Sequence, residues 1–377
     1  MKGGGYLLRV PSVDLAEVGA GGGSIAWADE AGALKVGPHS AGASPGPACY
    51  NLGGHEPTIT DANVIIGLTN PESLAGGSLK VYRDLAQKAV KEKVADRLGL
   101  DVTAAAWGIR TVANSSLVRA LRAVSTERGR DPRRFVLFGF GGMGPVHAID
   151  VASELGIRKV IIPPLPGLFS AVGLLFADVE IHLIQTHHAN TSGMDYNRIN
   201  KVLAGLIKES TTTLSREGYD AANQDLTILV DTQYLGQDSA LSVTVRRDYF
   251  TPEVVQELTE DFHREHKKTY GYRSDNEQVQ IVALRCLARG VSAAPRVPVK
   301  MNVMDAPGWK LPRGDRKAYF GPEIGWVTVP LIGRNDLTAT SQEGPMFIEE
   351  DSTLTVVSPG WQASLDHLSN IVLEAKK

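Results

Sequence analysis

Apolar positions along this chain repeat first with a helical period, then with a strand period, and the alternation predicts an α/β protein. From Thr103 to about Arg128, the residues Ile109, Val112, Ala113, Leu117, Ala120, Leu121 and Val124 recur at steps of three and four, which places them on one helix face. Gly129 and Asp131-Pro132 stop that helix. A second amphipathic helix is predicted over about Ser78 to Leu98, with Leu85, Ala89, Val94 and Leu98 inward and Gly99 as its C-cap. Strand-like runs fall at Ile59 with Val64 to Ile66, at Val136 to Phe138 and at Val160 to Ile162. Further on come a helix over about 197–217, strands over 226–234 and 240–245, a helix over 252–270 and a strand over 279–290. The Ala-Ala-Pro and Val-Pro steps of 291–298 read as a linker. Short strands between Gly and Pro turns then follow, at 326–330, 344–349, 353–357 and 371–374. The pattern predicts an α/β lobe over 1–190, an α+β module over 191–290 and a small β-rich C-terminal domain over 291–377.

The most informative segment runs from Phe135 to Ala148, FVLFGFGGMGPVHA, where a β-branched and aromatic run breaks into glycines and opens into a helix over Pro145 to Leu155. Glycine lets a backbone approach a ligand closely, and a helix N-terminus offers N–H donors to phosphate. Gly139, Gly141 and Gly144 satisfy GxGxxG. The dinucleotide-oxidoreductase form of that motif requires an acidic residue about 20 positions on, at the end of the next strand. Here that strand, Lys159 to Ile162, ends in Pro163-Pro164, so this reading is set aside.

Composition narrows the class. The 377 residues carry a formal charge of −3, with 43% hydrophobic and 21% charged residues. Length and composition fit a packed protein of two or three domains. The charge gives no electrostatic case for nucleic acid or an anionic membrane. No apolar run approaches the length of a membrane span, and 1–14 lack an uninterrupted secretory core. The cytoplasm is the expected location. Two cysteines, Cys49 and Cys286, form neither a disulfide framework nor a zinc pattern.

Several residues admit a chemical and a structural reading. Gly21, Gly22, Gly23 and Ser24 could wrap backbone amides around a phosphate or make a plain turn. Asp61 could orient water or a metal, or cap the helix-like segment 62–68. His147 could touch nucleotide or serve packing. His182, His187 and His188 have no helix-face metal spacing, and a polar strand edge explains them better. Cys49 reads as a buried small residue, and Trp107, Trp361, Tyr270 and Tyr272 read as core. No Ser-His-Asp triad is visible.

The long helix, short strand, glycine turn and second helix resemble the adenosine end of the actin, sugar-kinase and heat-shock ATPase fold. Six or more ordered segments carry a closer resemblance: GAGGGSIAW (19–27), SAGASPGPACY (40–50), TITDAN (58–63), VRALRAVSTERGRDPRRF (118–135), GFGGMGPVHA (139–148) and PPLPGLFSAVGLLFADV (163–179). HKKTYGYR (266–273) and EGPMFIEEDSTLTVVSPGW (343–361) extend it to the end. Together they resemble the A-type subunit of ATP-dependent hydantoinases, 5-oxoprolinases and ketone carboxylases.

That resemblance implies a subunit that activates a carbonyl oxygen by phosphorylation, with ATP and Mg²⁺ as cofactors and a cyclic amide as substrate. A ketone carboxylase subunit, or a non-catalytic assembly subunit, is the alternative. It implies half of an actin/sugar-kinase-like ATPase fold, with Gly21 to Ser24, Asn63, Gly139, Gly141, Gly142, Gly144 and His147 toward the nucleotide and Asp61 toward catalysis. Family members run to about twice this length and carry GGT-type phosphate loops in their first half. No GGT occurs in this chain. The expectation is therefore half of a split subunit, inactive alone, completed by an N-terminal-half partner that carries the phosphate loops and by a B-type subunit.

Overall fold

The computed structural model describes residues 15–292 and 310–376, so the N-terminal 1–14 and most of the expected linker lie outside the described residues. Two compact units separate: Met1–Gly173 with Val299–Lys377, and Leu174–Pro298.

The first unit begins with the hairpin β1 (Ser24–Ala28) and β2 (Leu34–Ser40), followed by α1 (Ile59–Ile65) and the small hairpin of β3 (Ser73–Leu74) and β4 (Leu79–Lys80). Helix α2 (Arg83–Val90) runs through a π-turn into α3 (Asp96–Leu98), which Gly99 ends in the left-handed region. The long helix α4 (Val102–Val124) starts where the Asp101 side chain accepts from the Thr103 and Ala104 amides, an N-cap. It ends at Val124, the last apolar position of its period and short of the expected end near Arg128, where the chain tightens into a 3₁₀ turn closed by Gly129 at φ +70°. Strand β5 (Leu137–Phe138), helix α5 (Gly144–Leu155) and strand β6 (Lys159–Ile162) form a strand–turn–helix–strand unit, with β5 and β6 parallel. Helix α6 (Phe169–Phe176) then leads out of the unit.

The second unit, Leu174–Pro298, combines one sheet with two helices and takes in the strand 179–190, which the sequence reading leaves in the lobe over 1–190. Strands β7 (Val179–Asn190), β8 (Gln224–Tyr234), β9 (Leu241–Val245) and β10 (Val279–Gly290) form an antiparallel sheet in the order β7-β10-β8-β9. Helices α7 (Tyr196–Arg216) and α8 (Pro252–Tyr270) share one apolar core with it. The histidine cluster lies on β7, an edge strand, and His182 bonds Glu180 at 3.0 Å.

The C-terminal strands do not form the separate domain expected for 291–377. Strands β11 (Gly314–Tyr319), β12 (Trp326–Ile332), β14 (Met346–Glu349) and β15 (Leu354–Val357) make one sheet. Strands β13 (Gln342–Glu343), β16 (Trp361–Leu365) and β17 (Ile371–Ala375) join β6 and β5 in another, in the order β13-β16-β17-β6-β5. Ile371 pairs with Ile162 and Leu373 with Val160, and all four are fully buried. Their apolar alternation is met by a strand more than 200 residues away in the chain, which no local period reveals.

Three smaller expectations change. Ile59 and Val64 to Ile66, read as strand-like, lie in or just after α1. The second helix begins at Arg83 rather than Ser78, because Leu79 and Lys80 pair as β4. Tyr270 and Tyr272, read as core, are exposed and lie against buried His266.

Candidate functional site

The glycine segment 139–144 joins the end of β5 to the first turn of α5. Gly139 packs tightly: a Cβ there would meet Ile162 Cδ1 at 2.8 Å and Ala148 Cβ at 3.3 Å. Gly141 has φ +84° and donates its N–H to Pro166 O at 2.7 Å. The Thr353 hydroxyl donates to Gly142 O at 2.9 Å. Helix packing, a left-handed residue and a clamp from β15's approach thus hold the turn in one shape.

Beneath the turn lies an apolar cavity of about 430 Å³. Ala113, Leu117, Ala120 and Leu121 of α4 form one wall, while Phe138, Phe140 and Met143 of the turn form another. These α4 positions are those whose three-and-four spacing predicted the helix. Gly21 and Gly22 border the same cavity, as do Gly139, Gly144 and His147.

The structure divides the sequence-predicted site residues by role. Gly22 sits against α1: its carbonyl accepts from Thr60 N at 2.9 Å, and a Cβ would lie 2.7 Å from Thr60 Oγ1. Gly23 packs toward Ser40. Ser24 folds the loop on itself, with its hydroxyl accepting from Gly21 N at 2.9 Å and donating to Gly19 O at 3.1 Å. Gly21 has open space where a side chain would stand and no left-handed φ to demand glycine. Gly142 also has open space, but it borders a different cavity on the other side of the turn.

Asp61 takes the capping role that the sequence reading sets beside a catalytic one. It is fully buried at the third position of α1, in a reciprocal capping box with Thr58. Its carboxylate accepts from Cys49 N (2.7 Å), Ala48 N (3.2 Å), Thr58 N (2.8 Å) and the Thr58 hydroxyl (2.7 Å). No part of it is exposed to orient a water or metal. Cys49 beside it is buried as expected, and burial together with the Asp61 charge pushes its thiol pKa up.

His147 and Asn63 belong to a buried polar network that sequence reading did not assemble. Arg110, 1% exposed, donates from Nε to Asp150 Oδ2 (3.0 Å), from Nη2 to Val146 O (2.8 Å) and from Nη1 to Asn63 Oδ1 (3.1 Å). Asn114 Nδ2 donates to Asp150 Oδ2 at 3.0 Å. His147 lies 2.6 Å from Asn114 Oδ1 through Nδ1 and 3.2 Å from Asn63 Nδ2 through Nε2. Burial first, and the Arg110 charge second, hold its pKa well below the usual histidine range, so the ring is neutral. The network ties α1, α4 and α5 together at the cavity. A signal was present: Arg110 and Asn114, four apart, interrupt the apolar side of α4. Among the described residues no group of three or more His, Cys, Asp or Glu could hold a metal.

Residues 1–182 match the Hydantoinase/oxoprolinase family, and residues 187–375 match the Hydantoinase/oxoprolinase C-terminal domain. The chain belongs to the hydantoinase/oxoprolinase family. Among its relatives, an uncharacterized protein of Methanocaldococcus jannaschii is 38% identical over 99% of this chain and 53% of its own length. Caprolactamase subunit alpha of Pseudomonas jessenii is 36% identical over 96% of this chain and 52% of its own. The crystal structure of that ATP-dependent caprolactamase superposes with a TM-score of 0.76, at 35% identity, over 95% of this chain and 52% of that one. Nucleotide-free acetone carboxylase superposes at 0.77, with 30% identity and the same coverage. The chain thus spans about half the length of the relatives it matches, and it shares their mixed α/β class with several sheets. No helix among the described residues is long and apolar enough to cross a membrane.

Proposed function

We propose that this chain supplies the adenosine-side wall of the ATP site in an ATP-dependent cyclic-amide hydrolase of the hydantoinase/5-oxoprolinase type. The observation that carries the reading is the apolar cavity beneath the glycine turn. Its volume of about 430 Å³ suits a small-molecule site, and its aliphatic and phenylalanine walls offer flat apolar surface to a purine ring. Gly21, with no Cβ and open space before it, lets the backbone approach ribose or phosphate closely. His147, held neutral and already bonded on both ring nitrogens, shapes the cavity floor and adds no charge beside the base.

When bound, ATP supplies a phosphoryl group to the substrate's carbonyl oxygen, which makes a resonance-stabilised amide carbon open to water. Positioning dominates such chemistry, and the part of this chain is to hold the nucleoside while the segment corresponding to the relatives' other half brings phosphate-binding loops and the Mg²⁺ ligands. A B-type subunit is the proposed partner. Support comes from the relatives described as enzyme subunits: caprolactamase alpha, acetophenone carboxylase gamma and acetone carboxylase beta.

A ketone carboxylase is the second reading, favoured by the acetone carboxylase superposition, whose TM-score matches that of the caprolactamase. The assembled enzyme is to be assayed for phosphate release with lactams, 5-oxoproline or ketones, with and without bicarbonate. Lactam-stimulated release independent of bicarbonate is the expected result. Release that needs ketone and bicarbonate together favours the carboxylase. Absence of any ATP-analogue binding overturns both.

A further inference from the structure

A larger cavity, about 1060 Å³, lies within the same unit on the opposite side of α5's first turn. Val146 faces it, while His147 and Val151 border the nucleotide cavity. Its walls are Tyr50, the loop 74–79, Gly142 and the β14–β15 turn at 349–354. Three observations mark it as a site in its own right.

The first is Gly142. Its backbone lies outside the left-handed region, and a Cβ there would meet nothing closer than Ser352 O at 3.9 Å. Neither conformation nor packing requires glycine at this point, and any side chain would project toward the chamber. The second is charge. Of the three acids in the β14–β15 turn, Glu349 is paired with Arg316 at 2.5 Å and accepts from Asn70 at 3.0 Å. Glu350 is held by Arg334 through two bonds of 2.8 and 2.9 Å. Asp351 and Lys310 then carry opposite charges on the wall. With two of the acids matched by arginines and the third set against Lys310, the wall carries no excess positive charge to draw a triphosphate, and a neutral dipolar molecule needs none. The third is Thr69, a wall residue 3% exposed, whose hydroxyl has no hydrogen-bond partner among the described residues.

We infer that this chamber seats the carbonyl-bearing substrate, a neutral lactam or ketone, with the glycine turn standing between it and the nucleoside. The inference rests on the reading of the smaller cavity as the nucleoside pocket. Apolar surface from Tyr50, Leu74, Leu79, Val146 and Leu354 covers the ring or alkyl part, while Thr69 and Ser352 offer hydroxyls to the carbonyl end. Asp61 and the Arg110 network take no part in this chamber.

The test compares wild type, Gly142→Val and Leu79→Trp in the assembled enzyme, each checked for an unchanged melting temperature. Both substitutions fill the chamber, one from the glycine turn and one from the 74–79 loop. The expected result is a rise of about tenfold or more in KM for ε-caprolactam or for acetone, with the Kd of a non-hydrolysable ATP analogue held within about twofold. The probe that responds identifies the lactam or the ketone as the natural class. Unchanged KM in both variants, or weakened nucleotide binding with KM intact, overturns the chamber assignment. If neither probe turns over, saturation-transfer NMR of the two probes with the analogue bound decides. Transfer seen in wild type and lost in both variants supports the inference; no transfer, or equal transfer in all three, overturns it. Wild-type failure to bind the analogue would instead strike the nucleotide reading, so the two failures are distinguishable.

Discussion

Asn114 Oδ1 lies 2.6 Å from His147 Nδ1, and this contact decides the state of the histidine at the cavity floor. An amide oxygen only accepts, so Nδ1 carries the proton and Nε2 is left to accept from Asn63 Nδ2 at 3.2 Å. Replacing Asn114 by Ala removes that acceptor and a donor to Asp150, leaving buried polar groups unsatisfied. The expected loss is about 1–3 kcal/mol of stability, read by chemical denaturation. The four tryptophans among the described residues, Trp27, Trp107, Trp326 and Trp361, lie in the first unit, so their fluorescence reports on it. A variant as stable as wild type would remove the network from the account.

The neutral His147 also sets a pH dependence. Its folded pKa is depressed by burial and by Arg110, so below the unfolded value of about 6.5 the unfolded chain binds the extra proton. Stability of the first unit should therefore fall as pH drops from 7 toward 5. This one residue contributes a slope of up to about 1.4 kcal/mol per pH unit. His147→Gln should flatten the tryptophan-monitored slope by close to one proton. An unchanged slope would mean that the ring is charged in the folded protein.

Asp61 offers a separation of structural from catalytic roles. It accepts from four donors in a buried site, and Asp61→Asn would turn an amide NH₂ toward some of them. A stability loss of about 1.5–3 kcal/mol or more is expected, together with looser packing of the 48–50 turn. Calorimetry on the variant tests this. Full stability with abolished turnover would restore the catalytic role to this carboxylate.

Gly139 and Gly21 should respond oppositely to alanine. At Gly139 the added methyl meets Ile162 and Ala148 inside 3.4 Å, an overpacking that costs about 1–3 kcal/mol. At Gly21 nothing stands within 4 Å, so stability should hold within about 0.5 kcal/mol while nucleotide affinity of the assembled enzyme falls. Thermal melts alongside ATP-analogue titration separate the two. Unaltered affinity in Gly21→Ala would move the nucleotide away from this loop.

Exposed apolar surface around β5 predicts how the 377-residue chain behaves by itself. Phe135, Val136, Phe138, Phe140 and Leu168 are exposed, with Phe138 and Phe140 each 5.4 Å from Phe169 between ring centres. Strand β5 ends its sheet, so one backbone edge has no strand beside it among the described residues. An apolar edge of this kind recruits other chains. Self-association or aggregation is expected in size-exclusion chromatography with light scattering, reduced by the double change Phe138→Lys and Phe140→Lys. A monodisperse monomer with cooperative unfolding would show that this surface needs no cover.

The sequence by itself determined the elements whose signals are local. The three-and-four spacing from Ile109 to Leu121 made α4, Gly99 and Gly129 ended helices in left-handed turns, and the α+β module followed its periods from α7 to β10. Ordered motifs such as GFGGMGPVHA and TITDAN were enough to mark the family. Tertiary structure alone decided what depends on residues far apart in sequence. β6 pairs with β17 because Ile162 and Ile371 bury each other's edge of the sheet, and no periodicity encodes that choice. Whether a glycine is there for packing, for φ or for open space depends on what its missing Cβ would meet, which separated Gly139, Gly141 and Gly142 within four positions. On paper Asp61 reads toward catalysis, with a helix cap as the alternative. Burial against the amides of Ala48 and Cys49 made it a cap, because a carboxylate taken out of water must spend its lone pairs on the donors that surround it.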